Sequence, residues 1–144
     1  MNDLAVIDPV EQMEAMLLPK ADGTLQKLPP VQHHFIGGMY IRHMSIPAGL
    51  LLMGHTHKTT HPNVLLKGRM RLWMNGLVRE IEAPCVFESV AGSRKVAVML
   101  EDVEFATLHA TEETDIGKLE SELFEASPTW LAYQKGKELC QPQH

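Results

Sequence analysis

Between Phe35 and His109 the apolar residues come in short runs separated by glycine, proline and charged turns, the rhythm of an antiparallel β-domain. The run "MYIRHMSI" (Met39–Ile46) alternates and stops at Pro47-Ala48-Gly49, and "LLLMGHTH" predicts the next strand. "NVLLKGRMRLWM" and "LVREIEA" flank Asn75-Gly76, a pair that tolerates the positive φ of a type I′ turn, so they predict a hairpin. "KVAVML" and "VEFATLH" flank Glu101-Asp102 and predict a second one. On either side of this region the period is helical. Asp8 is a cap, Pro9 suits a first helical position, and Val10, Met13 and Leu17 share a face until Pro19. After Thr111, Ile116, Leu119 and Leu123 share another, and Ser127-Pro128 opens a last helix carrying Trp130 and Leu131. The pattern predicts one all-β domain over residues 1–144. Its antiparallel barrel or sandwich occupies about 33–110, and helical ends at 8–18 and 114–140 cover the sheet edges.

A chain of 144 residues suits one hydrophobic core, and 44% hydrophobic with 22% charged residues is the balance of a folded globular domain. The net charge of -5 argues against a protein that neutralises phosphates, so nucleic acid is not an expected partner. "MNDLAVIDPVEQ" lacks a basic stretch followed by an apolar run, and no run approaches the ~20 residues that cross a bilayer. A cytoplasmic protein without a membrane partner is expected. Cys85 and Cys140 form no C-x-x-C pair, which argues against a disulfide framework or a thiolate metal site. There is no G-x-S-x-G elbow, P-loop or dinucleotide fingerprint. Exposed edge strands on so small a barrel predict a homo-oligomer.

The stretch "GHTHKTTHPN" places His55, His57 and His61 within seven residues. On a strand, His55 and His57 at i and i+2 project from one face, and Pro62 biases His61 toward an extended conformation where the chain enters the next strand. Neutral imidazole suits zinc, copper, iron and nickel, and three or four such ligands leave room for an exchangeable position. The bland alternative is a polar loop that happens to gather His, Thr and Lys. The spacing favours the metal.

The run from Gly49 to Gly68 resembles the first signature of the cupin superfamily, G-x5-H-x-H-x3-E-x6-G, with every interval kept and His61 standing where the glutamate is usual. The second signature, G-x5-P-x-G-x2-H-x3-N, is degraded. With Gly92 as its central glycine, Val90 stands at the proline, Lys95 at the histidine and Met99 at the asparagine. The resemblance covers roughly residues 33 to 125 and looks like small single-domain cupin-like proteins of bacterial and phage genomes. It implies a jelly-roll barrel with a divalent transition metal inside, with Fe, Zn, Ni and Mn not distinguished. If the hairpin about Glu101-Asp102 folds back, His109 comes close to the point opposite Lys95 and replaces the lost ligand. A one-residue slip in register would instead leave it a structural histidine.

An all-imidazole shell leaves the charge of a divalent ion uncompensated, which favours a small anionic ligand. Among cupins this resembles the iron dioxygenases that lack the glutamate. Lys95, Arg42, Arg69 and Arg71 are the candidate anion-binding residues. Strand arginines more often face solvent, and Lys95 is aimed inward by the motif alignment. His33, His34 and His43 read as surface or core-edge residues, and the many methionines as barrel packing. Two functions stay open: a metal-dependent oxygenase acting on a small anionic molecule, with metal ligands His55, His57, His61 and His109 and no catalytic residue assigned, or a non-catalytic small-molecule-binding, structural or interaction cupin.

Overall fold

Along Arg69–Met74 and Cys85–Ser89 the residues alternate between interior and surface, so the period of two seen in the sequence becomes two faces. The computed structural model describes residues 30–126 and Leu131, and the compact unit that holds the barrel runs over residues 28–125. In chain order the strands are β1 (Val31–Ile36), β2 (Met39–Ile46), β3 (Leu51–Met53), β4 (Thr56–His57), β5 (His61–Lys67), β6 (Arg69–Met74), β7 (Leu77–Glu82), β8 (Cys85–Ser89), β9 (Lys95–Met99), β10 (Val103–Ala110) and β11 (Phe124–Glu125). Helix α1 (Ile116–Leu123) lies between β10 and β11. The expected helix over 8–18 lies outside the described residues, as does the last helix apart from Leu131. No helix of the described residues is long and apolar enough to cross a membrane.

One antiparallel sheet has the order β1-β2-β10-β5-β8, a second has the order β3-β9-β6-β7, and β4 pairs with β11. Met44, Ile46, Leu65, Val103 and Phe105 of the first sheet pack against Met70, Leu72, Met74, Ile81, Ala97 and Met99 of the second. Each such side chain contributes roughly 1.5–3 kcal/mol on full burial, so this sandwich of inward rows is what holds the sheets together. Four of the methionines expected to pack the barrel, Met44, Met70, Met74 and Met99, are in this core.

The Asn75-Gly76 hairpin forms as expected. Asn75 (φ 54) and Gly76 (φ 78) both adopt positive φ, and Met74 faces Leu77 across the turn. The other expected hairpin does not form. β9 pairs with β3 and β6, while β10 pairs with β2 and β5, so the Glu101-Asp102 turn carries the chain from one sheet to the other. "NVLLKGRMRLWM" likewise divides into β5 and β6 in different sheets, hinged at Gly68 (φ 89). The two crossovers share a corner. Leu100 N–H donates to Arg69 O (3.0 Å), and a Cβ on residue 68 would collide with the carbonyl of Asp102, so only glycine fits.

The third departure concerns "LLLMGHTH". Gly54 N–H donates to Lys95 O and His57 N–H to Ser93 O, both at 3.0 Å, so three steps on this strand oppose two on its neighbour. That count is a β-bulge. It interrupts the strand between Met53 and Thr56, leaving His55 on the irregular link and His57 on β4.

After β10, Asp115 caps α1, its side chain accepting from Lys118 N–H at 3.0 Å. Leu119 and Leu123 bury against Tyr40, and Phe124 packs beside them. Lys58 N–H donates to Leu123 O (2.8 Å), which ties this segment to the chain after β4.

Candidate metal and anion site

The inward rows of β2, β5 and β10 begin apolar and end polar. On β10 the inward residues run Val103, Phe105, Thr107, His109, on β2 Ile46, Met44, Arg42, Tyr40, and on β5 Leu65, Asn63, His61. Register aligns them, with Thr107 opposite both Asn63 and Arg42, and His109 opposite Tyr40. The polar ends therefore gather at one end of the interior.

Three imidazoles meet there. The ring centroids of His57 and His61 are 4.3 Å apart, those of His61 and His109 4.5 Å, and those of His57 and His109 6.3 Å. All three residues are buried. Burial, helped by the Lys95 charge and by the neighbouring rings, pushes His57 down to about 2. Burial and the neighbouring His61 push His109 down to about 3, and burial lowers His61 as well. All three are neutral at physiological pH, the protonation state a metal ligand requires. His61 Nδ1 lies 3.0 Å from the carbonyl of Thr59, which can only accept, so Nδ1 carries the hydrogen and Nε2 the lone pair. His61 Nε2, His57 Nδ1 and His109 Nδ1 are buried without a hydrogen-bond partner. Thr107 Oγ1 and His109 Nε2 share a 3.0 Å hydrogen bond that steadies the third ring.

Lys95 comes in from β9. Its Nζ donates to Asn63 Oδ1 and to Ser89 Oγ, both at 2.8 Å. Burial and the Arg42 charge lower this amine to about 7. Arg42 lies with its guanidinium 4.5 Å from the centroid of the Phe124 ring, and its Nε is buried without a hydrogen-bond partner. Phe124 meets His57 edge-on with centroids 5.0 Å apart and His109 in the same way at 6.2 Å, so it covers the imidazoles. Tyr40 is fully buried, and its hydroxyl shares a 2.7 Å hydrogen bond with His33 Nδ1. Among the described residues no Asp or Glu is buried. Cations and neutral imidazoles without carboxylates make this interior suited to an anion.

Of the expected anion-binding residues, Lys95 and Arg42 stand here, whereas Arg69 and Arg71 do not. Both lie on the half-exposed surface of the second sheet, where Arg69 Nε pairs with Glu101 (3.0 Å) and Arg71 with Glu80 (2.8 Å). Strand parity decides this, because Met70 and Leu72 take the inward places. His55 sits half-buried on the link between β3 and β4. His43 bonds Glu104 at 2.6 Å on the outer face of the first sheet. Tyr40, Asn63, Ser89, Thr107 and Phe124 were missed in the sequence. Asn63 and Thr107 had a signal, since each lies two residues along the same strand from a candidate histidine.

The donors present fit a borderline divalent ion by type: three neutral imidazoles with unused nitrogens. Among the described residues, no group of three or more His, Cys, Asp or Glu side chains meets the geometry that could hold a metal ion.

No family model matches the sequence, and no curated protein does. Solved structures do. A conserved protein of Klebsiella pneumoniae with a double-stranded β-helix domain superposes with a TM-score of 0.52 at 15% identity, over 62% of this chain and 83% of that one. The fold is that of the cupins. A second match, protein NMB1881 of Neisseria meningitidis, has a TM-score of 0.51 at 9% identity, over 65% of this chain and 96% of its own. KdgF from a Halomonas species has a TM-score of 0.50 at 16% identity, over 61% and 86%. The His57, His61 and His109 rings therefore lie inside a cupin barrel.

Proposed function

We propose that this cupin-fold chain holds a divalent transition metal on His57, His61 and His109 and binds a small anionic molecule beside it, against Lys95 and Arg42. The observation that carries this reading is the set of three buried imidazole nitrogens without partners, in rings 4.3–6.3 Å apart, with the His61 tautomer set by the Thr59 carbonyl. A nitrogen lone pair buried without a partner costs about 1–3 kcal/mol, a cost that an ion removes.

A bound ion would supply Lewis acidity and, if redox-active, the electron transfer that an oxygenase needs. The chain's own groups do the rest. Arg42 offers its guanidinium, whose buried Nε has no partner, to a carboxylate or phosphate, and Phe124 keeps water from the imidazoles. Lys95 reaches in from the opposite sheet with its Nζ held by Asn63 and Ser89, and the surrounding neutral rings leave an anion's charge unopposed.

A second reading, a non-catalytic cupin that binds a small molecule without a metal, is favoured by one observation. The described histidines are not gathered in coordinating geometry. Elemental analysis of protein purified without added metal and without chelator separates the two. Near-stoichiometric metal in the wild type, lost in His61→Ala and His57→Ala, supports the metal reading. Metal-free wild type that also shows no rise in melting temperature with added Zn, Fe, Ni or Mn refutes it and leaves the second.

A further inference from the structure

Both hydrogen-bond partners of Lys95 are neutral acceptors. Both N–H groups of the Asn63 amide are committed, one to Phe87 O (3.2 Å) and one to Ser89 Oγ (2.8 Å), so the Asn63 oxygen can only accept. The Ser89 oxygen receives Asn63 and Lys95 while its own hydrogen points to Met74 Sδ at 3.8 Å. The network takes two N–H donors from Lys95, which a neutral amine supplies in full and an ammonium exceeds by one. In the neutral amine the remaining tetrahedral position on Nζ holds a lone pair. An ammonium at this place would carry a full charge with no buried carboxylate among the described residues, beside Arg42 and three imidazoles. The lowering of this group to about 7 agrees with that count.

We propose that Lys95 is a carbonyl-trapping nucleophile, condensing with an aldehyde acid or 2-oxo acid whose carboxylate lies on Arg42. This deepens the anion-site reading and rests on it, but it requires no metal. The Nζ lone pair forms the bond to the carbonyl carbon as the C=O π pair moves to oxygen. Both amine hydrogens leave with that oxygen as water, giving the imine without any change of oxidation state. Asn63 Oδ1 and Ser89 Oγ hold those two hydrogens before the reaction, which points the lone pair away from both acceptors.

The test uses the full-length chain at neutral pH with glyoxylate and cyanoborohydride, which reduces the imine to a stable carboxymethyl group located by peptide mass spectrometry. Lys95 is expected to be labelled at least about tenfold faster than the exposed Lys58, Lys67 and Lys118. Acetate, a carboxylate without a carbonyl, should slow labelling at Lys95 and leave the exposed lysines unaffected. Lys95→Arg, verified as folded by circular dichroism, should lose only the adduct at this position. Lys95 left unlabelled, or labelled no faster than Lys58, overturns the proposal. Melting temperatures of the same samples distinguish the two failures. An acetate-dependent rise without an adduct removes only the nucleophile, whereas no rise together with no adduct removes the anion site as well.

Discussion

Acidifying the metal-free protein should destabilise it well before its carboxylates titrate, because the buried imidazoles refuse protons that the unfolded chain accepts. His57 and His109 titrate at about 2 and about 3 in the fold, against an unfolded value of about 6.5. Between those values the unfolded state binds more protons, so stability is fully present above about 6.5 and is lost as the pH falls below it. From about pH 7 to about pH 5.5 each imidazole removes about 1.3 kcal/mol, or about 2.5 kcal/mol for the pair, and His61, lowered as well, acts in the same direction. Against a typical total of 5–15 kcal/mol, that is a visible share. The assay is urea unfolding of chelator-treated protein followed by circular dichroism at a series of pH values, with the slope m checked for constancy. His57→Gln/His109→Gln should flatten the dependence, which separates these rings from the surface histidines. A wild-type midpoint that does not move over this range, or a double variant with the wild-type pH dependence, would sink the reasoning.

Four further outcomes follow from particular contacts. Gly68→Ala forces a side chain into positive φ against the Asp102 carbonyl at the sheet crossover, and should lower unfolding free energy by at least about 2 kcal/mol in urea titrations. Ser89→Ala removes the acceptor shared by Asn63 and Lys95 and should cost about 1–3 kcal/mol by the same measurement. Arg71→Ala, which breaks only the surface pair with Glu80, should leave both the urea midpoint and any anion-dependent rise in melting temperature unchanged. Phe124→Ala uncovers the imidazoles, so His57 and His109 should react several-fold faster with a histidine-acylating reagent, read by peptide mass spectrometry, while a wild-type rate would show that the ring is no cover.

What the sequence made legible was local, and what it hid was which strands meet. Asn75-Gly76 specified its hairpin because the turn itself demands positive φ, a property carried by the two residues alone. Glu101-Asp102 has the same outward form, a polar pair between apolar runs, yet its partners are chosen by the corner it shares with Gly68, residues distant in sequence. The bulge at Gly54-His55 was equally hidden. It depends on the spacing of acceptors at Ser93 and Lys95 on another strand, and it removes His55 from the strand expected to present it beside His57.

The case of His109 shows where the physical argument resided. A hairpin between β9 and β10 was expected to bring it to the neighbourhood of Lys95, and that hairpin is absent. His109 and Lys95 nevertheless share one interior, because each falls on the inward parity of its own strand and the two strands belong to facing sheets. Parity survives an error in pairing, since it is fixed by the alternation along a single strand, whereas register needs the partner. The same rule sends Arg42 inward with Tyr40 and Met44, and sends Arg69 and Arg71 out past Met70 and Leu72. Among the four candidate anion-binding cations, alternation around an apolar neighbour therefore separates the interior pair from the surface pair, and residue type alone does not.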